Sequence, residues 1–125
     1  MIILKMHNTN SSQQFFPKGI KPRIRLRSPK SSIPTDLYLE VCYLKKRSRV
    51  KLYGCKVFPC HWNNQLQRAY ISPILDAIDN HNNSIVNTEI ESYLKHYKDF
   101  IDYLCASNNI DKVVNFHSEL NKFRQ

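Results

Sequence analysis

Apolar and polar residues alternate through the first half of the chain, beyond a polar opening stretch. Segments at about 23–28, 36–45 and 49–57 alternate at every second position, which is the period of a half-buried β-strand. Two prolines within 28–35 predict a loop between the first two segments, and the basic residues 46–48 predict a tight connection before the third. Within the third segment, glycine predicts a β-bulge. The pattern therefore predicts three strands.

The hydrophobic period becomes helical in the second half. From Ile85 to Cys105 apolar residues recur at steps of three and four, and Ser84 precedes them as the predicted N-cap. Residues 72–83 are predicted to be a polar loop, and residues 110–124 a second, shorter helix. An apolar stripe of this width covers one face of a sheet. The expected fold class is α+β: a three-stranded antiparallel sheet packed on one long helix, plus a short C-terminal helix.

The 125 residues fit one small domain with flanking segments. We expect a flexible leader over 1–20, a folded domain over 21–106, and a C-terminal helix or linker over 107–125. The opening residues are too short and too interrupted for a signal peptide or a membrane span. The expectation is a soluble cytoplasmic protein with no membrane partner. The chain contains 2 glycines and none of the glycine-rich phosphate-binding motifs, and no cofactor is expected.

The positive charge is concentrated in the half that contains the strands. Residues 1–68 carry 14 lysines and arginines against 2 acids, a net charge of +12, whereas residues 69–125 carry 5 against 8. Arg23, Arg25 and Arg27 alternate with apolar residues, so a strand aligns them in one row about 6.5–7 Å apart. Such a row suits a groove lined with phosphates and base-edge acceptors. The alternative is a solvated edge strand whose charges serve solubility.

The three predicted strands agree on which residues share a face. When their apolar sides pack together, the opposite side collects basic and aromatic residues: Arg23, Arg25, Arg27, Tyr38, Arg49, Lys51 and Tyr53. Glu40 is the only acid expected among them. We assign the arginines and Lys51 to the groove of a DNA duplex, and we assign Tyr38 and Tyr53, which lie among them, to DNA contact as well. Four further cations are assigned to phosphates: Lys45, Lys46, Arg47 and Lys56.

Metal and catalytic sites find little support in the sequence. Cys55, Cys60 and His61 lie close together, but the second ligand pair of a structural zinc site is missing. The histidines are scattered and have no matching nucleophile or carboxylate pair, so no enzyme activity is expected from this chain. Cys42 and Cys105 occupy apolar positions of a predicted strand and helix, where a thiol behaves as a small hydrophobe.

The lone tryptophan, Trp62, follows the third predicted strand. The usual role of such a residue is to cover the core while its indole N–H donates to a carbonyl oxygen. Stacking on a base is the alternative function. We expect the core role.

Several stretches resemble one family of DNA-binding domains. They are Thr35-Asp36-Leu37-Tyr38-Leu39-Glu40-Val41, Arg49-Val50-Lys51-Leu52-Tyr53-Gly54-Cys55-Lys56-Val57, Pro59-Cys60-His61-Trp62-Asn63, Gln67-Arg68, and Asn87 in the long helix. Together they resemble the N-terminal arm-type DNA-binding domain of tyrosine recombinases, the phage-integrase-like proteins of Bacteroides and their mobile elements. The resemblance covers roughly 70–80 residues, and the spacing of Pro59 and Trp62 after a basic hairpin is its most specific part.

The resemblance implies a sheet that lies in the major groove and recognises arm sites in double-stranded DNA. The chain would then be the N-terminal part of a site-specific recombinase or integrase, with the rest of the integrase chain as its partner. The catalytic H-x-x-R of that family does not occur in the sequence. We therefore expect a part of the parent enzyme that carries no catalysis of its own.

Two other functions stay open at this point. The helical half, 85–124, could be a protein-interaction module, with Phe116, Leu120 and Phe123 as exposed anchors and weak self-association as its outcome. RNA binding through the outward tyrosines is the third reading, although their spacing matches no common RNA-recognition motif.

Overall fold

The computed structural model describes residues 20–110. These residues form three long strands, two short strands, a 3₁₀ turn and one long helix. Their bounds are β1 Arg23–Leu26, β2 Thr35–Tyr43, β3 Lys46–Val57, the 3₁₀ turn Pro59–His61, β4 Trp62–Asn63, β5 Arg68–Ala69 and α1 Ala77–Ala106. The predicted α+β fold, a three-stranded antiparallel sheet with one long helix, is confirmed. The predicted C-terminal helix lies, beyond its first residue, outside the described residues.

β2 and β3 are joined by a two-residue hairpin turn. Tyr43 pairs with Lys46, so only Leu44 and Lys45 lie between the strands, and both have positive φ, 51° and 67°. Positive φ at both central residues gives a turn whose twist matches that of the paired strands. The predicted basic connection over 46–48 is therefore wrong, because cross-strand pairing begins at Lys46 and these residues belong to β3.

β3 changes its alternation at Gly54. Tyr53 and Gly54 are both exposed, whereas Leu52 and Cys55 on either side of them are buried. The pairing register with β2 shifts within this stretch, and Gly54 has a φ of 77°, which residues with a Cβ rarely adopt. The predicted bulge is confirmed. Because of it, Lys56 returns to the exposed side of the strand.

One face of the sheet, the inner face, packs against the helix. It consists of Ile24, Leu37, Leu39, Val41, Val50, Leu52, Cys55 and Val57, all of them buried. The helix contributes Val86, Ile90, Tyr93, Tyr97, Phe100, Ile101 and Leu104 to the same hydrophobic cluster. These helical positions follow the predicted three- and four-residue steps, with Phe100 as an addition. The core therefore lies between the sheet and the helix, and the opposite face of the sheet points away from both.

The helix begins eight residues earlier than the sequence pattern predicts. Its N-cap is Asp76, whose carboxylate accepts a hydrogen bond from the backbone N–H of Asp79 at 2.7 Å, so the prediction of Ser84 as N-cap is wrong. Of the region 72–83 that was expected to be a polar loop, residues 77–83 form the first part of the helix, whereas residues 72–76 are not helical. Asparagine is a weak helix former, but tertiary hydrogen bonds hold two of these residues in place. The side-chain amide of Asn83 donates a hydrogen bond to the backbone carbonyl oxygen of Tyr70. The side-chain amide of Asn80 donates one to the backbone carbonyl oxygen of Ser72.

A short hairpin, β4–β5, lies between the helix and the edge of the sheet. The Asn87 side chain both donates to and accepts from the backbone of Ala69, at 3.0 and 2.8 Å. On the side of the hairpin that faces the sheet, the Gln67 side chain accepts a hydrogen bond from the backbone N–H of Ile24 in β1, at 2.7 Å. The hairpin thus provides a partner for one N–H on the open edge of β1.

At 30 residues, α1 is about 45 Å long. Its exposed side is polar along much of its length, and it carries ion pairs between Lys95 and Asp99 and between Lys98 and Asp102. Within residues 20–110, no helix combines the length and the apolar character needed to cross a bilayer.

Candidate nucleic-acid interface

The side of the sheet that faces away from the helix is the outer face. Its residues are Arg23, Arg25, Arg27, Asp36, Tyr38, Glu40, Cys42, Arg47, Arg49, Lys51, Tyr53 and Lys56. Directly opposite residues of an antiparallel pair project to the same side, about 4.5–5.5 Å apart. Arg25 pairs with Tyr38, and Tyr38 pairs with Lys51, so these three residues form one row across the sheet. The alternation of the sequence predicts that these three residues share a face, which the pairing confirms, and the register adds that they form a row.

A second row across the sheet contains Glu40, the charged residue of the outer face with the most ion-pair partners. Glu40 lies between Arg23 of β1 and Arg49 of β3. Its carboxylate accepts hydrogen bonds from Arg49 Nε at 2.9 Å and from Arg25 Nη1 at 3.3 Å, and Arg47 Nε lies 3.5 Å away. The Glu40 side chain is only 8% exposed, whereas the three arginines are 54–63% exposed. One buried carboxylate therefore holds three guanidinium groups at the surface.

Asp36 is a second acid on the outer face, and the expectation that Glu40 is the only one is wrong. Its carboxylate lies 3.6 Å from Lys51 Nζ and 4.0 Å from Arg27 Nη1. The strand alternation already contains this information, since Asp36 is two residues before Tyr38 and shares its face. The charged residues of the outer face are thus seven cations and two acids, a net charge of +5.

The two acids lie on the central strand, and the cations lie on the strands that flank it. β2 provides Asp36 and Glu40 with Tyr38 between them, while β1 and β3 provide the arginines and lysines. Neighbouring strands lie about 4.8 Å apart, so the two cationic lines are separated by about 10 Å. That separation is comparable to the width of the DNA major groove, about 12 Å.

Both tyrosines assigned to DNA contact lie on the outer face. Tyr38 is half-buried at the centre of the sheet, and Tyr53 is 65% exposed near the bulge. The ammonium group of Lys51 lies 5.5 Å from the centre of the Tyr53 ring, within the range of a cation–π interaction. This contact places an aromatic face and a cation side by side.

The cations assigned to phosphates do not all share this face. Arg47 and Lys56 belong to the outer face through their pairing with Cys42 and Asp36. Lys46 pairs with Tyr43, whose side chain packs against the core, so its side chain starts from the opposite face. Lys45 lies in the hairpin turn at the end of the sheet. The structure brings nine of the eleven predicted residues together on one face and places Lys45 and Lys46 apart from them.

Two of the cysteines lie in surroundings that differ from the expected ones. Cys42 and Cys105 are exposed, so the expectation that they fill apolar positions is wrong, whereas Cys55 is buried. Burial, with a smaller contribution from the charge of Glu89, raises the pKa of Cys55 to about 11.

Trp62 is 8% exposed and belongs to the core, as predicted, but within residues 20–110 its indole N–H has no hydrogen-bond acceptor.

Metal-ligand types do not group within the described part of the chain. His61, beside Cys60, contacts the Phe58 ring edge-on and lies 3.4 Å from Asn83, and these neighbours are not ligands for a zinc site. Across residues 20–110, no three His, Cys, Asp or Glu side chains lie close enough together to hold an ion. The outer face does carry guanidinium and ammonium groups, which can bind anions.

Comparisons of the chain with protein-family models, with curated proteins and with solved structures give no match. The resemblance to the arm-type domain of tyrosine recombinases therefore stays a prediction.

Proposed function

We propose that the outer face of the sheet binds double-stranded DNA, as the arm-site recognition domain of a site-specific recombinase or integrase of a mobile element. The observation that carries the proposal is the register itself. It aligns Arg25, Tyr38 and Lys51 in one row and leaves a net charge of +5 on a face that the helix does not cover. A surface made for solubility alone mixes both signs of charge across the molecule, whereas this one concentrates positive charge on a single side.

The geometry of the face matches a groove better than a flat polyanion. Cations lie along β1 and β3 on the two sides of β2, from where their side chains can reach the phosphates at the walls of a groove and the base edges between them. Arg25 is half exposed, and its guanidinium group has the donor geometry that guanine accepts in the major groove. A cytoplasmic location, the rest of an integrase chain as partner, and a role in binding without catalysis belong to the same proposal.

The proposal predicts salt-dependent binding that depends on which cations are removed. We expect fluorescence anisotropy with a mixed-sequence duplex of about 20 base pairs to give a slope of log K against log salt of about −4 to −5. Replacing Arg23 and Arg25 with alanine should lower the affinity at least about tenfold and make the slope shallower by about one, the value expected when one of the two arginines contacts a phosphate and Arg25 contacts a base.

A matched control removes the same charge from the opposite side of the molecule. The variant with Lys95→Ala and Lys98→Ala also loses two positive charges, but these residues lie on α1 and pair with Asp99 and Asp102. It should retain the slope and change the affinity about twofold or less. Equal losses in both variants, or binding that does not respond to salt, would contradict the proposal. Tighter binding to a single-stranded RNA of the same length would favour the RNA reading instead.

A further inference from the structure

Glu40 is the most buried charged residue of the outer face. Its side chain is 8% exposed at the centre of the sheet, beneath three arginines that remain more than half exposed. The three arginines come from two strands, β1 and β3, and both reach back over β2 to the same carboxylate. A buried carboxylate that accepts hydrogen bonds from guanidinium groups is a strong, directional contact.

The contacts of Glu40 constrain orientation, and those of Asp36 do not. Glu40 accepts two hydrogen bonds, from Arg49 Nε at 2.9 Å and from Arg25 Nη1 at 3.3 Å. Asp36 lies 3.6 Å from Lys51 and 4.0 Å from Arg27, and among residues 20–110 its carboxylate accepts no side-chain hydrogen bond from either. The two acids share a strand and a charge, and they differ in whether they hold their cations in a defined direction.

Orientation matters because a guanidinium group reads a base only when its donors are aligned with two acceptors. A long arginine side chain that moves among rotamers still attracts phosphates, but it loses this alignment. We propose that Glu40 is a positioning residue that holds Arg25, Arg47 and Arg49 in one arrangement and thereby determines how strongly this face selects a DNA sequence. The inference rests on the proposed function, since it concerns the same surface.

Two single substitutions separate orientation from charge. Glu40→Gln and Asp36→Asn each remove one negative charge from the outer face and keep the shape of the side chain. With a fixed mixed-sequence duplex, both variants should bind about two- to fivefold more tightly than the natural protein at physiological salt, because each gains one net positive charge. In a selection from a pool of duplexes with a randomised centre, only Glu40→Gln should lose enrichment, by about tenfold.

A measurement without DNA reports on the same arrangement. The Nε–H proton of Arg49 should exchange slowly with solvent in the natural protein and in Asp36→Asn, and faster in Glu40→Gln, while circular dichroism shows all three to be folded. The exchange rate reports directly on the hydrogen bond between Arg49 and Glu40, so it remains informative even where a change in DNA affinity has several causes.

The outcomes distinguish the inference from the proposed function. Retained enrichment in Glu40→Gln, or an equal loss in Asp36→Asn, would overturn the positioning role and leave DNA binding in place. A natural protein that binds duplexes but enriches no sequence would likewise overturn the positioning role and leave DNA binding in place. Absence of any salt-dependent duplex binding by the natural protein would overturn the proposed function, and the inference with it.

Discussion

Tyr97 links the start of the sheet to the helix that packs on it. Its hydroxyl donates to the carbonyl oxygen of Ile20 at 2.9 Å, and both residues are fully buried. Burial raises the pKa of Tyr97, so the hydroxyl stays protonated and remains a donor through neutral and moderately alkaline pH. The carbonyl of Ile20 would otherwise be a polar atom inside the core. The Tyr97 side chain thus holds the backbone of Ile20 against the helix.

Replacing Tyr97 with phenylalanine should lower the free energy of unfolding by about 1–2 kcal/mol, because the Ile20 carbonyl loses its donor in the core. Urea unfolding followed by circular dichroism measures the change. The matched control is Tyr70→Phe, at a tyrosine that is 46% exposed, which should change stability by less than about 0.5 kcal/mol. An equal effect in the two variants would show that the buried hydrogen bond is not what stabilises this region.

At the scale of the element, the turn of the β2–β3 hairpin has an unfavourable local sequence. Leu44 and Lys45 both adopt positive φ, which costs free energy for residues with a Cβ and is the usual place for asparagine and glycine. Leu44 is also 75% exposed, so its side chain contributes little burial in return. The turn is held by the pairing of the long strands on either side of it.

The double variant Leu44→Asn, Lys45→Gly should raise the free energy of unfolding by about 1 kcal/mol, because both residues tolerate this backbone conformation. Gly54→Ala tests the same physics in the other direction. A methyl group at this position would meet no atom within 4 Å beyond the glycine and its chain neighbours, but the φ of 77° strains any side chain, so a loss of about 1 kcal/mol is expected. Chemical denaturation measures both. No change in either variant would contradict the role assigned to backbone strain.

At the scale of the whole molecule, one hydrophobic cluster joins the five described strands and the helix. It runs from Ile20 through the inner face of the sheet and Trp62 to Leu104 near the end of the helix. No second cluster divides residues 20–110. A domain of this size with a single core is expected to unfold in one cooperative step.

Ile90 lies fully buried in the middle of α1, and Ile90→Ala should lower the free energy of unfolding by about 2–5 kcal/mol. The fluorescence of Trp62, the one tryptophan in the chain, and the helical circular dichroism should shift together to the same lower urea midpoint. Ile78→Ala, at a helix residue that is 79% exposed, is the control and should leave the midpoint nearly unchanged. Two separate midpoints for fluorescence and circular dichroism would contradict a single cooperative unit.

The strands were predictable because their signal is local. Alternation placed Arg25 opposite the apolar residues without any knowledge of its partners, and the same rule extends to Asp36. The start of the helix was not predictable in this way. Asn80 and Asn83 favour a loop by local preference, and only their bonds to the backbone around Ser72 and Tyr70 make them helical.

For this chain, the order of residues alone was enough to assign most strand side chains to the inner or the outer face and to place most of the positive charge on the outer one. It was not enough to reveal that Glu40 lies beneath Arg25, Arg47 and Arg49, because those contacts join residues from three strands. The physical reason is distance along the chain. Backbone periodicity acts between neighbours, whereas the burial of a carboxylate and the orientation of its cations depend on which strands pair and in what register.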